Sequence, residues 1–164
     1  GVKFTKDGAC VALSVCTLSS DGRAYVDFVR SDMTTGGIGW LVEWLRSRAD
    51  GCCGIAIDGM AGAADLAVQL AAEGVPRNCI MVARTSDAIA SASMLMNALG
   101  DCTLEHSNDP MLRESAIGSV RRQIGVNGGY GFGGDVSERI ESCALALWAA
   151  RTSKRDPEGE ATIW

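Results

Sequence analysis

Three aspartates that lie far apart in the sequence have the residue type and the setting for metal-assisted chemistry. Asp58 ends the short apolar run 54–57 and is followed by glycine, as expected of an acid at the C-terminal tip of a strand. Asp7 follows a first extended run, and Asp135 precedes the last predicted helix. Carboxylates that converge on one point can hold two Mg²⁺ or Mn²⁺ ions for phosphodiester hydrolysis. We therefore interpret all three as candidate metal ligands and catalytic residues.

Two of these aspartates also have a purely structural interpretation. Asp7 precedes a glycine in a turn, where aspartate is common. Asp135 and Glu138 are three residues apart at a predicted helix start, which resembles a capping box. Glu138 and Glu141 are alternatives to Asp135 as the catalytic acid of this helix, because the choice depends on the helix register. A turn or a cap does not explain Asp58, which is the strongest candidate.

Basic and aromatic side chains around a glycine-rich stretch are candidates for DNA contact. Arg121 and Arg122 precede this stretch, and Tyr130 and Phe132 lie within it. The arginines are suited to phosphate, and an aromatic ring can stack on a base, although surface charge and hydrophobic anchoring of the loop are the ordinary alternatives. His106, the only histidine, is a candidate for phosphate contact or proton transfer, with an ordinary surface histidine as the alternative.

Composition limits the class of protein. The 164 residues suit a single domain, 1–164, and the net charge of −5 argues against a general nucleic-acid binder but not against a DNA enzyme that holds metal ions. The seven cysteines include no C-x-x-C pair, so we expect reduced core thiols in a cytoplasmic protein. No apolar run approaches the ~20 residues that span a bilayer.

The pattern of apolar residues and turns predicts an α/β fold. Extended runs are predicted at 1–4, 9–17, 24–30, 54–57, 79–83, 103–106 and 121–124. Helices are predicted at 38–48, 61–73, 87–99 (capped by Thr85 or Ser86), 110–119 and 136–150, and a mobile loop or hairpin tip at 127–134. An antiparallel three-strand meander followed by parallel strands, with flanking helices, is the order of a ribonuclease H-like mixed sheet. In such a sheet the first and fourth strands are neighbours, and the last helix lies across their tips.

Several stretches resemble the C-terminal nuclease domain of the large terminase subunit of tailed bacteriophages, in particular those of actinobacterial phages and prophages. They are GVKFTKDGACVALSV, AIDGMAGAADLAVQLAAEGVP and LEHSNDPMLRESAIGSVRRQIGVNGGYGFGGDVS, which leads into IESCALALWAARTSKRDP. The resemblance covers nearly the whole chain and keeps the order of elements. Its specificity comes from this succession rather than from any single motif.

The resemblance implies metal-dependent cleavage of concatemeric viral DNA during genome packaging in a bacterial host. Its implied partners are double-stranded DNA, an N-terminal ATPase domain, the small terminase subunit and the portal. The chain contains no G-x-x-x-x-G-K-[ST] motif, so we expect a nuclease domain taken from a longer chain. Asp58 matches the family's metal ligand on the fourth strand.

The chain departs from the family pattern in the first strand. Many terminases have an aspartate directly after a Gly-Val or Gly-Ile pair, whereas this chain has Lys3 there, and its nearest acid is Asp7. The alternative function is therefore a catalytically weakened domain that docks DNA, portal or motor without cutting. A small-ligand α/β domain is a more distant alternative, because the sequence has no ligand-binding fingerprint.

Overall fold

The computed structural model describes residues 1–126 and 128–157, which form a six-stranded sheet, a two-stranded hairpin and five helices. The strands of the large sheet are β1 (Val2–Phe4), β2 (Cys10–Leu18), β3 (Ala24–Met33), β4 (Ile55–Asp58), β5 (Ile80–Val82) and β6 (Leu104–His106). The hairpin consists of β7 (Val120–Ile124) and β8 (Gly129–Gly133). The helices are α1 (Gly39–Arg46), α2 (Ala63–Ala72), α3 (Thr85–Gly100), α4 (Pro110–Gly118) and α5 (Ser137–Thr152).

The large sheet is mixed, and its strand order is β5-β4-β1-β2-β3-β6. Strands β1, β2 and β3 form an antiparallel meander, whereas the β1–β4, β4–β5 and β3–β6 pairs are parallel. The predicted α/β class, the meander and the neighbouring positions of β1 and β4 are therefore confirmed.

One side of the sheet is a purely apolar core, which we call the apolar face. Its strand residues include Val2, Phe4 and Ile57, which pack with Leu66 and other buried residues of α1 and α2. Side chains alternate between the two sides of a strand, so the residues between these must point the other way. Lys3 is one of them.

The opposite side is covered by α3 and α5, and we call it the α5 face. Small strand residues, Ala12 and Ala56, lie under α5 and allow the helix to approach closely. A Cβ placed on Gly1 would lie 2.1 Å from the carbonyl oxygen of Ser142, so the backbones of β1 and α5 are almost in contact. The Ser142 hydroxyl is 2.6 Å from that of Ser14 in β2. The last helix therefore lies over the face of the central strands, whereas the prediction placed it across the tips of β1 and β4.

The glycine-rich stretch is more ordered than a loop. Its residues 129–133 form β8, which pairs along its whole length with β7. A Cβ on Gly129 would lie 2.4 Å from the Cδ1 atom of Ile89, so the hairpin packs closely against α3 at this point. Of the two predicted alternatives, the hairpin is confirmed and the loop is wrong for these five residues, which form the second strand of the hairpin. Asn127 lies outside the described residues.

Neither predicted helix cap is present. Helix α3 begins at Thr85, and the carboxylate of Asp87 accepts a hydrogen bond from the backbone N–H of Arg84 at 2.8 Å. The N-cap of α5 is Val136, so Asp135 does not cap this helix. Instead, the Ser115 hydroxyl of α4 donates to the Val136 carbonyl at 2.6 Å and accepts from the Ile140 N–H at 3.1 Å.

All seven cysteines are free thiols, as predicted. Cys79 and Cys143 are buried, but Cys102 is exposed, so the prediction of core positions does not hold for every thiol.

Candidate active site

The register between β1 and β4 brings Lys3 and Asp58 together. The two residues are direct partners in this parallel pair, and both side chains point to the α5 face. The Lys3 ammonium forms an ion pair with the Oδ2 atom of Asp58. The other carboxylate oxygen, Oδ1, accepts a hydrogen bond from the backbone N–H of Gly59 at 2.8 Å. Both oxygens of Asp58 therefore have a partner.

Helix α5 adds a second carboxylate to the same place. The Oε2 atom of Glu141 is 3.5 Å from the Lys3 ammonium nitrogen, and its Oε1 atom is 3.7 Å from Nη2 of Arg122 on β7. The side chains of Lys3, Asp58 and Glu141 are only 12%, 20% and 14% exposed. We call these three residues the Asp58–Lys3–Glu141 centre.

Burial and charge act in opposite directions on Glu141. Burial raises the pKa of its carboxyl group above the ordinary value, and the nearby Asp58 carboxylate adds to this effect. The cationic groups of Lys3 and Arg122 oppose the increase. The charged form of the Glu141 carboxyl group thus depends on these nearby cations.

The loop after Asp58 fixes the position of the carboxylate. Gly59 has φ +117°, and a Cβ there would lie 2.6 Å from the Cβ of Phe4. Only glycine allows the chain to turn so closely past the end of β1. The structure therefore requires glycine at position 59, directly after Asp58.

Asp7 lies outside this centre, in the turn between β1 and β2. Its exposed carboxylate accepts hydrogen bonds from the Ala9 backbone N–H at 3.0 Å and from the Thr5 hydroxyl at 2.7 Å. These two bonds, that from Ala9 first, lower the pKa of Asp7. The carboxylate thus has the role of a turn aspartate in this structure.

The other two acids of the last helix do not join the centre either. Asp135 is exposed, and its side chain makes no hydrogen bond or ion pair with any part of the chain that is described. Glu138 is buried and lies 3.6 Å from the Nε atom of Arg139, whose Nη1 atom is 2.7 Å from Glu114. Of the three candidates, Glu141 is the one that reaches Lys3.

The hairpin places one of the predicted DNA-binding residues, Arg122, beside the centre. Arg122 lies next to Glu141, and its Nε atom also donates to the Phe132 carbonyl at 3.3 Å. The Arg121 guanidinium covers the ring of Tyr130 at 4.6 Å. Phe132 is buried against α3 and α5, so it anchors the hairpin.

His106 is far from these residues. It ends β6, which is four strand positions away from β4 in the sheet, or about 19 Å at ~4.8 Å per strand. Its Nδ1 atom accepts a hydrogen bond from the Asn108 backbone N–H at 3.0 Å. The structure does not bring His106 together with Asp58.

The contribution of Lys3 to the centre was not predicted, because in the sequence this residue stands out only as a departure from a pattern. A signal was nevertheless present. Val2 and Phe4 flank Lys3 in an alternating apolar strand, and a charged residue between two core residues must face the opposite layer. What the sequence does not reveal is the strand register that places Lys3 opposite Asp58.

The oxygen atoms of Asp58 and Glu141 are chemically suited to Mg²⁺ or Mn²⁺. Mg²⁺ is usually held by one or two carboxylates together with waters and substrate phosphates, so this pair fits one ion. No group of three or more His, Cys, Asp or Glu side chains is placed to hold a metal within residues 1–126 and 128–157. The predicted two-metal site would need a further carboxylate, which Asp7 or Asp135 would have to supply.

Comparisons with protein-family models, with curated proteins and with solved structures found no match. Among the helices described, none is long and apolar enough to cross a membrane.

Proposed function

We propose that this chain is a ribonuclease H-like nuclease domain of the phage terminase type, which cuts double-stranded DNA with Mg²⁺ or Mn²⁺. Support for the fold assignment comes from the β1–β2–β3 meander, the parallel strands β4 and β5, and the position of α5 over β1 and β4. The sequence resemblance to terminase nuclease domains supports the substrate, viral DNA during packaging. The implied partners are the ATPase domain, the small subunit and the portal.

One observation carries the proposal. Asp58 from a strand tip and Glu141 from the last helix converge on one cation, the Lys3 ammonium, although about half of the chain separates them. Buried carboxylates that share a cation are costly for stability alone, because each must be removed from water. Such an arrangement is typical of a functional site.

The residues have distinct roles in this proposal. Asp58 and Glu141 would hold a divalent ion, which supplies activation of water and charge stabilisation at the phosphate. Arg122 orients Glu141 from the hairpin, and Arg121 with Tyr130 offers a cationic, aromatic surface to DNA. The contributions of Asp7, Asp135 and His106 stay predictions from the sequence. Glu138 contacts Arg139, which links α5 to Glu114 of α4.

Nicking of supercoiled plasmid in Mn²⁺ tests the proposal. We expect Asp58→Asn and Glu141→Gln to reduce the nicking rate by about a hundredfold or more, as is usual when a group that stabilises transition-state charge is removed. Asp65→Asn is the matched control, because Asp65 is exposed on α2 and contacts Gln69. Equal nicking by the wild type and all three variants would contradict the proposal.

A second function is favoured by the same lysine. Lys3 already neutralises part of the carboxylate charge, as expected of a domain that docks DNA, portal or motor without cutting. This function predicts that the wild type binds duplex DNA, measured by fluorescence anisotropy, and leaves plasmid intact at millimolar Mn²⁺. Arg121→Ala combined with Arg122→Ala would then weaken binding, whereas Asp58→Asn would not. Mn²⁺-dependent nicking by the wild type that Asp58→Asn abolishes would exclude it.

A further inference from the structure

Lys3 is the least expected member of the Asp58–Lys3–Glu141 centre. We propose that its ammonium is a built-in cation that occupies the place of a divalent ion between Asp58 and Glu141, so that Mg²⁺ or Mn²⁺ enters only by displacing it. The inference rests on the proposed function for the identity of the divalent ion.

The charge balance of the centre supports this role. Two carboxylates face one ammonium, and all three side chains have little access to water. Arg122 also contacts Glu141, but its side chain is 52% exposed, so solvent screens much of its charge. Lys3 is thus the main compensation for two acids that would otherwise repel each other.

The backbone holds this cation in place. Val2 and Phe4, on either side of Lys3, are buried in the apolar face, and a shift of β1 by one residue would expose them. The lysine is therefore fixed by its strand at Cα, while its four-carbon side chain is free to exchange partners. A cation on such a tether can leave the carboxylates without any change in the fold.

A divalent ion and the ammonium compete for the same oxygen atoms. The Oδ2 atom of Asp58 and the Oε2 atom of Glu141 both face Lys3 Nζ, and the Oδ1 atom of Asp58 is bound to Gly59. Entry of the ion next to an undisplaced ammonium would place like charges within a few ångströms of one another. Lys3 must therefore lower the affinity for divalent ions relative to a neutral side chain of similar length.

Titration of purified protein with Mn²⁺, followed by the electron paramagnetic resonance signal of the free ion, tests the inference. We expect Lys3→Met to bind one Mn²⁺ at least ~10-fold more tightly than the wild type, since it removes the competing charge. Adding Asp58→Asn to Lys3→Met should abolish this gain. Lys3→Arg should stay close to the wild type because it keeps the charge. Lys6→Met is the matched control, because Lys6 is exposed in the neighbouring turn.

Thermal unfolding gives a second readout. Without metal, Lys3→Met should melt below the wild type, and Mn²⁺ should raise its melting temperature by several degrees more than it raises that of the wild type. If Lys3→Met folds only with Mn²⁺ present, the inference is supported, and if it folds under neither condition, Lys3→Gln is measured in its place. Equal Mn²⁺ affinity of the wild type and the neutral variant would overturn the inference, as would a gain that survives Asp58→Asn.

The two proposals fail in different ways. If no variant cuts DNA but Lys3→Met gains Mn²⁺ affinity through Asp58, the nuclease proposal fails and the role of Lys3 stands. If the wild type cuts DNA through Asp58 and Glu141 but Lys3→Met binds Mn²⁺ no better, the nuclease proposal stands and Lys3 is only a structural ion pair.

Discussion

The two faces of the central sheet are built from the same strands but have different chemistry. On the apolar face, Val2, Phe4 and Ile57 are buried among aliphatic side chains. One position along on the same strands, Lys3 and Asp58 carry charges into the layer beneath α5. The difference teaches that strand alternation decides where the charges lie: both faces contain buried apolar residues, but the α5 face also carries an ion pair beneath its helix.

The apolar face should tolerate truncation least. We expect Leu66→Ala, at a fully buried position of α2, to lower the free energy of unfolding by about 3–5 kcal/mol, because it leaves a cavity. Urea denaturation measures this change. Val68→Ala on the same helix is the control, since Val68 is 68% exposed and should lose well under ~1 kcal/mol. Similar losses for the two variants would contradict the assignment of the core.

Gly59 joins the two faces, because it follows Asp58 of the α5 face and lies against Phe4 of the apolar face. Gly59→Ala should destabilise the protein by about 2–4 kcal/mol, because the new Cβ would clash with Phe4 in addition to the strain of a positive φ. Gly74→Ala separates the two effects, since Gly74 has φ +86° and a Cβ added there would meet no atom within 4 Å, and it should cost only about 1 kcal/mol. Equal costs in urea denaturation would exclude a clash at the Asp58 tip.

The α5 face should be sensitive to pH through Glu141. Its pKa is raised above 4.5 by burial, so between 4.5 and the raised value the folded protein binds more protons than the unfolded chain. The contribution of Glu141 to stability therefore decreases as the pH rises through that interval. Glu141→Gln lacks this effect, so its free energy of unfolding should rise relative to that of the wild type from about pH 4.5 up to the raised pKa of Glu141.

Urea denaturation across this pH range gives the difference directly. Glu43→Gln, on the exposed side of α1, is the control for loss of a glutamate. A difference between Glu141→Gln and the wild type that is constant or shrinks with rising pH would be inconsistent with a Glu141 carboxyl that is buried in the folded state.

The smallest effect on stability is expected at the hairpin. Arg121→Ala removes the guanidinium from the Tyr130 ring and should cost about 0.5–1 kcal/mol. If Arg121 contacts a DNA phosphate, the plot of log affinity against log salt concentration should be less steep for Arg121→Ala, by about 0.9 in slope. Arg113→Ala, an exposed arginine of α4, is the control. An unchanged salt dependence would remove Arg121 from the DNA-binding surface.

Much of the fold could be predicted because its signals are local. The apolar run before Asp58 and its following glycine indicate a strand tip, and the two turns of the meander are visible as Asp-Gly pairs. The choice among Asp135, Glu138 and Glu141 could not be predicted, because it depends on where α5 begins. The helix starts at Ser137 after an uncapped Val136, and this turns Glu141 towards Lys3 and Glu138 towards Arg139.

For Asp7 the sequence left two interpretations, a turn aspartate and a metal ligand, and could not decide between them. In the structure its carboxylate bonds to Thr5 and Ala9 within the turn. The sequence around Asp7 is equally compatible with a carboxylate that points towards the strand tips. Likewise, Lys3 contacts Asp58 only because of the strand register that pairs the two residues. Contacts between distant segments decide both cases, and local patterns carry no information about them.

The most direct test of the account is anomalous diffraction from crystals soaked in Mn²⁺. We predict one anomalous peak for a manganese ion in contact with both Asp58 and Glu141. The Lys3 ammonium should be displaced from their oxygen atoms, and Lys3→Met should show a stronger peak at the same Mn²⁺ concentration. A peak elsewhere, or none at this centre at saturating Mn²⁺ in either protein, would contradict the central claim that the α5 face holds a divalent-ion site.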